Sequence, residues 1–233
     1  MIETQNSEIE TRNKAELLHS LGHLTRGLSA LFWGLPAALV VGVETARTDW
    51  LKSFGLVPVL TATGLLIFGL WQMGDFQKQE RPWRNALDRA KLPGLVNFGL
   101  CPFLYWYNRM PQESFFSTAV LVLVLSAVLF LFNLNVVLKQ LAAMLPEETL
   151  RHETGLFTAL NRWLLGLLLL LIVAYGVLLH MAPLPPGFGV RSVWLNQLGL
   201  WSLTFLALLP LAMTMALIWK IKETIFDSVF DAK

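Results

Sequence analysis

Six long stretches without a charged residue dominate this sequence of 233 residues. They are 27–43, 53–74, 92–108, 114–138, 163–190 and 192–219, and together they hold 137 residues. A helix needs roughly 20 mostly apolar residues to cross a hydrocarbon core of about 30 Å, whereas a soluble fold of this size does not need so much uncharged sequence. The sequence therefore predicts an all-α, polytopic membrane protein built as a bundle of six transmembrane helices.

The composition agrees with a membrane protein and excludes other classes. Hydrophobic residues make up 55% of the chain and charged residues 15%, against about 25% charged residues in soluble domains. The net charge is +2 and the basic residues are scattered among acids, so no nucleic-acid footprint is present. The first 26 residues are polar and carry several glutamates, unlike a secretory signal peptide. We therefore expect the first apolar stretch to remain as a membrane helix.

The stretch 92–108 is the doubtful span, because it is short and contains Pro93, Gly94, Asn97 and Pro102. Basic residues concentrate in cytoplasmic loops. With six spans and a cytoplasmic N-terminus, 14 of the 18 basic residues lie inside, and four lie outside, namely Arg47, Lys52, Arg109 and Arg191. Without this span the best division is 10 inside and 8 outside. Six spans with both termini cytoplasmic are thus favoured, and five spans with a re-entrant segment are the alternative.

Tryptophans agree with this topology, since Trp prefers the headgroup level of a bilayer. Six of the nine tryptophans fall near the ends of predicted spans: Trp50, Trp106 and Trp194 on the outside, and Trp71, Trp163 and Trp219 on the inside. We therefore predict an integral membrane protein, whose partners include the lipid bilayer.

The chain divides into three parts. Residues 1–26 form a cytoplasmic amphipathic segment, 27–219 the transmembrane domain and 220–233 a cytoplasmic helical tail. The tail has apolar residues at helical spacing, which we interpret as a docking surface for a partner: Ile221, Ile225, Phe226, Val229 and Phe230.

Small residues recur at helical spacing in the first two spans. Helices in lipid approach one another through such residues. We therefore predict that two sets pack helix against helix: Gly34, Ala38 and Gly42 in the first span, and Gly55, Ala62 and Gly69 in the second.

Polar residues in the fourth span suggest a polar path. Ser126, Asn133 and Asn135 are the candidates to line it. Packing and hydrogen bonding between helices is the simpler role for such residues. None of the six stretches carries an acid or a base near its middle. Because proton-coupled transporters normally need such a residue, this class of transporter is disfavoured.

Carboxylates and imidazoles on the cytoplasmic side are weak candidates for a metal site. Glu16, His19 and His23 share one face of the N-terminal helix, and Glu148 and His152 are four residues apart. Solvated polar faces explain both groups more simply, so no metal or other cofactor is predicted.

Three functions remain open. The leading hypothesis is a non-enzymatic membrane subunit or scaffold that binds another membrane protein or a second copy of itself through helix contacts and its cytoplasmic ends. The second is a passive channel or small-solute carrier, based on the polar residues of the fourth span and on prolines within spans. The third is a membrane enzyme that uses the cytoplasmic Glu and His residues.

Overall fold

The computed structural model describes residues 2–230 apart from 49, 78, 111, 146–147 and 182–191. Within its helices, the side chains of 2–18, 148–151, 175–176, 178–181, 192–204 and 228–230 lie outside the description, as does that of residue 52. Every regular element in the described part of the chain is helical. The all-α prediction is therefore confirmed.

The described residues form seven α-helices, with a short 3₁₀ turn, Trp50–Phe54, after the first. They are α1 (Ile2–Arg47), α2 (Val57–Met73), α3 (Arg81–Leu100), α4 (Pro102–Arg109), α5 (Ser114–Met144), α6 (Glu148–Met181) and α7 (Ser192–Phe230). Helices α3 and α4 follow each other directly along the chain, with only Cys101 between them.

Long-range contacts identify the two ends of this bundle. At one end, here called the Trp50 end, the Asn108 side chain on α4 donates to the Thr48 carbonyl after α1, at 3.0 Å. At the opposite end, here called the Lys220 end, Lys220 on α7 pairs with Glu153 on α6. Long antiparallel helices between two polar ends are the architecture that a bilayer requires.

Four described helical segments are long and apolar enough to cross a membrane: His19–Arg47, Ser114–Met144, His152–Ala174 and Phe205–Asp227. Helix α2, with 17 residues, is a shorter apolar helix. These findings support a helical bundle in a membrane. The stretch predicted as the third span, 92–108, does not form one uninterrupted helix, because it is shared between α3 and α4.

The break between α3 and α4 has a local cause in Pro102. Proline has no backbone N–H, so it cannot donate to the Phe98 carbonyl one turn earlier. The Cys101 thiol donates to this carbonyl instead, at 3.2 Å. The side chain thus replaces the missing backbone hydrogen bond, and α4 starts immediately at Pro102.

The largest core cluster lies toward the Lys220 end and joins residues of α1, α2, α3, α5 and α7. The charged start of α3 contributes to it, because Trp83 and Leu87 are buried while Arg84 and Asp88 are exposed. The Trp83 indole donates to the Phe76 carbonyl at 3.1 Å. The first part of α3 is therefore an amphipathic helix, and its apolar face packs on the core at the Lys220 end.

Helices α1 and α7 run without a break through the predicted boundaries at 26/27 and 219/220. Ile221 and Ile225 on α7 are 0% and 1% exposed and belong to the largest core cluster. This part of the predicted tail therefore packs against other helices of the same chain.

Candidate functional site

A cavity of about 590 Å³ separates α1 from α5. Helix α1 packs against α2, α4 and α7, whereas α5 packs against α3, α4, α6 and α7. Residues of α2, α3 and α4 form its wall, and Leu211 of α7 contributes to its lining as well. Pockets of about 300–1,000 Å³ are typical of small-molecule sites, so this cavity has room for a ligand.

The mouth of the cavity is apolar and lies between the two separated helices. Leu39 and Val43 of α1 and Val124 of α5 line the cavity and are also exposed on the surface of the bundle. All three lie in segments that are long and apolar enough to cross a membrane. The cavity therefore has an apolar opening on the side of the bundle.

Two small residues of α1 create part of this space. Ala38 and Gly42 line the cavity, and a Cβ atom added at Gly42 would meet only the Leu104 side chain, at 3.8 Å. Both were predicted to pack helix against helix. At Gly42 the missing side chain leaves volume beside α1, whereas Ala38 also packs against the largest core cluster.

The deep part of the wall carries three polar groups. The Thr63 hydroxyl donates to the Val59 carbonyl at 2.7 Å and lies 3.4 Å from the Cys101 sulfur. The Asn97 side chain is 6% exposed, and its Oδ1 atom has no hydrogen-bond partner among the described residues. Asn97 is therefore a buried polar group next to open space.

A basic residue lines the cavity near its outer rim. Arg47, at the C-terminal end of α1, and Tyr107 of α4 belong to the lining at the Trp50 end. Tyr107 is ten residues from Asn97 along α3 and α4, which corresponds to about 15 Å of helix at about 1.5 Å per residue. The cavity thus extends from this end to about the middle of the bundle.

A second buried polar cluster joins α5, α6 and α7 toward the Lys220 end. The Asn161 amide group donates to the Asn135 side-chain oxygen at 3.0 Å. The Thr214 hydroxyl oxygen lies 3.0 Å from both amide nitrogens and donates to the Pro210 carbonyl at 2.8 Å. These hydrogen bonds hold three helices together. Two atoms, Oδ1 of Asn161 and Oγ1 of Thr154, have no partner among the described residues, and neither residue lines the cavity.

The three residues predicted to line a polar path face different neighbours. Ser126 donates to the Pro93 carbonyl of α3 at 3.2 Å, and Asn135 belongs to the cluster with α6 and α7. Asn133 donates to the Leu129 carbonyl of its own helix at 2.8 Å. Ser126 and Asn135 thus connect α5 to neighbouring helices, and Asn133 bonds only to its own helix. The described contacts do not join the three residues into one path.

The other residues predicted for helix packing divide into two groups. A Cβ added at Gly34 would lie 2.8 Å from the end of the Leu66 side chain, which would have to shift. A Cβ added at Gly69 would lie 2.9 Å from the Gly27 carbonyl oxygen of α1, which is backbone. Ala62 is buried. Gly55 instead lies in the turn before α2 with φ of +60°, and nothing lies within 4 Å of its added Cβ. The reason for glycine there is the left-handed backbone conformation, not helix packing.

The metal candidates do not converge in the part of the chain that the structure describes, which holds no group of three or more His, Cys, Asp or Glu side chains suited to a metal. His23 Nδ1 lies 2.6 Å from the Gln72 side-chain oxygen and 3.7 Å from an Asp75 oxygen. The His19 ring is 4.7 Å from the His23 ring, and His152 is exposed. The side chains of Glu16 and Glu148 lie outside the described residues.

The docking candidates in the tail are also separated by the structure. Ile221 and Ile225 are buried in the core, while Phe226 is 42% exposed, with the Lys222 ammonium 5.7 Å from its ring centroid. The side chains of Val229 and Phe230 lie outside the described residues. Among the described tail residues predicted for docking, only Phe226 is accessible to a partner.

Asn97, Asn161 and Thr214 were missed as functional or structural residues by the sequence reasoning. The available signal was the presence of amide and hydroxyl side chains within or beside apolar stretches, where polar groups need partners. Comparisons of the chain with known protein families, with curated proteins and with solved structures find no match. The cavity and its wall are therefore the features of the molecule that point to a function.

Proposed function

We propose that this chain is a non-enzymatic integral membrane protein that binds a lipid-like solute in the cavity between α1 and α5. The cavity itself is the observation that supports this function, because its apolar mouth at Leu39, Val43 and Val124 lies within potential membrane spans. A solute dissolved in the bilayer would enter sideways, without leaving hydrocarbon. This is the small-solute carrier hypothesis, narrowed to an apolar solute.

The proposed topology has six spans, with the Trp50 end outside and both termini in the cytoplasm. Exposed tryptophans near the two ends of the bundle support it, with Trp50 at one end and Trp163 and Trp219 at the other. In this topology α3 and α4 cross together, with the charged first half of α3 near the inner surface. A cysteine at Gln112 in a Cys101→Ala background should react with an impermeant maleimide from outside only. Labelling from the cytoplasmic side would contradict six spans.

The tail makes the scaffold hypothesis less suitable than solute binding. Ile221 and Ile225, two of its five predicted docking residues, are already buried against the rest of the chain. The enzyme hypothesis relies on the cytoplasmic histidines, but His23 interacts with Gln72 and Asp75 at the Lys220 end. The cavity lies toward the opposite end of the bundle, so these residues cannot act on a molecule bound in it.

Filling the cavity tests the proposal. A Gly42→Leu substitution should place its side chain in the cavity, because Gly42 lines it and an added Cβ has room. The matched control is Gly22→Leu, on the same helix but away from the cavity, where an added Cβ meets nothing within 4 Å. We expect the wild-type protein and Gly22→Leu, purified in detergent, to retain radiolabelled hexadecane above the level of empty micelles. Gly42→Leu should fall to that level, and equal retention by all three proteins would refute the proposal.

A further inference from the structure

The cavity wall contains a buried amide whose hydrogen-bonding capacity is not used by the described residues. Asn97 lies on α3, one turn before Cys101, and its side chain is 6% exposed. Its Oδ1 atom has no partner among the residues that the structure describes. Burying a polar group without a partner costs about 1–3 kcal/mol. A leucine at this position would avoid this penalty, so the asparagine needs another explanation.

A trapped water molecule is a poor explanation for this amide. A buried water typically needs two to four polar partners. The other two polar side chains in the deep part of the wall have already donated their hydrogens, Thr63 to the Val59 carbonyl and Cys101 to the Phe98 carbonyl, so they can only accept a hydrogen bond from water. The rest of the lining near Asn97 is apolar and includes Leu66 and Phe130. A water molecule there could donate to Asn97 and to Thr63 or Cys101, which is fewer than the roughly three hydrogen bonds that a buried water typically makes.

We propose that the Asn97 amide recognises an uncharged oxygen group, a hydroxyl or a carbonyl, on the lipid-like ligand. This inference rests on the proposed function, because it names the ligand chemistry of the same cavity. A carboxamide can donate and accept, so it pairs with a hydroxyl in either orientation and with a carbonyl through its NH₂ group. The ligand's apolar body would occupy the remaining space.

The position of Asn97 explains why this group is uncharged. The charged side chain of the lining is Arg47, near the rim at the Trp50 end, whereas Asn97 lies about 15 Å deeper along the helix axis. An ionised group beside Asn97 would be buried in hydrocarbon without a counter-charge, which is strongly unfavourable. A neutral hydroxyl or carbonyl needs one good hydrogen bond, and the amide supplies it.

A matched pair of probes tests this inference. Hexadecan-1-ol and hexadecane have the same chain and differ by one hydroxyl group. Their retention by the purified protein is measured for each probe relative to empty micelles, which removes the difference in micelle partitioning. A hydrogen bond with a net contribution of about 0.5–1.5 kcal/mol corresponds to about a two- to tenfold preference. We therefore expect the wild-type protein to retain the alcohol about two- to tenfold better than the alkane.

The variants assign this preference to Asn97. Asn97→Leu should lose the preference for the alcohol, so that it retains the two probes about equally, while Asn133→Leu on α5 should keep the preference. Retention of hexadecane by Asn97→Leu also shows that the cavity is intact. A preference that persists in Asn97→Leu, or equal retention of both probes by the wild type, would overturn this inference and leave the proposed function standing. Retention of neither probe by the wild type would overturn both.

Discussion

Helix α1 meets its neighbours in two different ways. Toward α2 the backbones almost touch, since a Cβ atom added at Gly27 would come 2.7 Å from the Gly69 carbonyl oxygen. Toward α5 the same helix leaves a cavity of about 590 Å³, lined by Ala38 and Gly42. One helix thus forms a closed interface on one side and an open one on the other.

This difference shows that small residues in a membrane helix have two physical uses. In lipid, helices associate by close packing because hydrophobic burial gives little driving force between them. At Gly27 and Gly69 the missing side chains let two backbones approach. At Gly42 the missing side chain instead keeps volume free for another molecule. The spacing of small residues alone does not distinguish the two uses.

One added methyl group on each side of α1, facing α2 in one variant and the cavity in the other, tests this difference most directly. In Gly69→Ala the new Cβ would lie 2.9 Å from both the Gly27 carbonyl oxygen and the Leu31 Cγ atom. Backbone cannot move aside cheaply, so we expect a loss of about 1–3 kcal/mol in the free energy of unfolding. In Gly42→Ala the new Cβ has ordinary contact distances, and the free energy of unfolding should change by less than about 0.5 kcal/mol.

Unfolding in mixed micelles by increasing mole fractions of sodium dodecyl sulfate measures both values. Similar losses in the two variants would mean that α1 is equally closed on both sides. No loss in Gly69→Ala would mean that α1 and α2 are farther apart than the structure places them.

The buried asparagines extend the comparison to polar groups. The Asn135 amide is paired at both ends, because Nδ2 lies 3.0 Å from the Thr214 hydroxyl and Oδ1 accepts from Asn161. Asn97 lies beside the cavity with Oδ1 unpaired in the described part of the chain. Asn135 thus joins α5 to α6 and α7 through both ends of its amide, whereas the Oδ1 atom of Asn97 lies unpaired beside the cavity.

We expect Asn135→Leu to lower the free energy of unfolding by about 1 kcal/mol, since hydrogen bonds between membrane helices average about 0.6 and reach about 1.7 kcal/mol. The matched control is Asn133→Leu, two residues away on α5, whose amide donates to its own helix at the Leu129 carbonyl. That variant should differ little from the wild type in the same unfolding experiment. Equal losses in both variants would show that the polar cluster does not join the three helices.

Much of the fold could be predicted from charge and apolar length alone. The stretches 27–43, 114–138 and 192–219 each lie within one long helix, α1, α5 and α7, because an apolar segment of this length has no other way to satisfy its backbone in lipid. The stretch 92–108 was harder, because Pro102 breaks its helix and the charged residues before it also belong to α3. Apolar faces within charged segments, such as that of Trp83, are not visible in a count of charges.

The candidate site could be predicted much less well. Its residues are distant in sequence, with Gly42 on α1, Asn97 on α3 and Val124 on α5. A cavity depends on which helices stay apart, and periodic patterns within single helices carry no such information. The tail shows the same limitation, because the spacing of Ile221 and Ile225 predicts an apolar face but does not tell whether that face covers this chain or a partner.

Asn97→Leu is expected to change the free energy of unfolding in the opposite direction. Asn135→Leu removes an amide that is paired, but Asn97→Leu removes one whose Oδ1 atom lacks a partner among the described residues. We therefore expect Asn97→Leu in ligand-free protein to raise the free energy of unfolding, by up to about 1 kcal/mol, because the penalty for a buried unpaired group disappears. Unfolding of delipidated protein in mixed micelles measures it, with Asn135→Leu as the opposite reference. A loss of stability in Asn97→Leu would mean that this amide already has a structural partner and is not kept for a ligand. A gain would fit a residue that lowers the stability of the empty protein for the sake of binding.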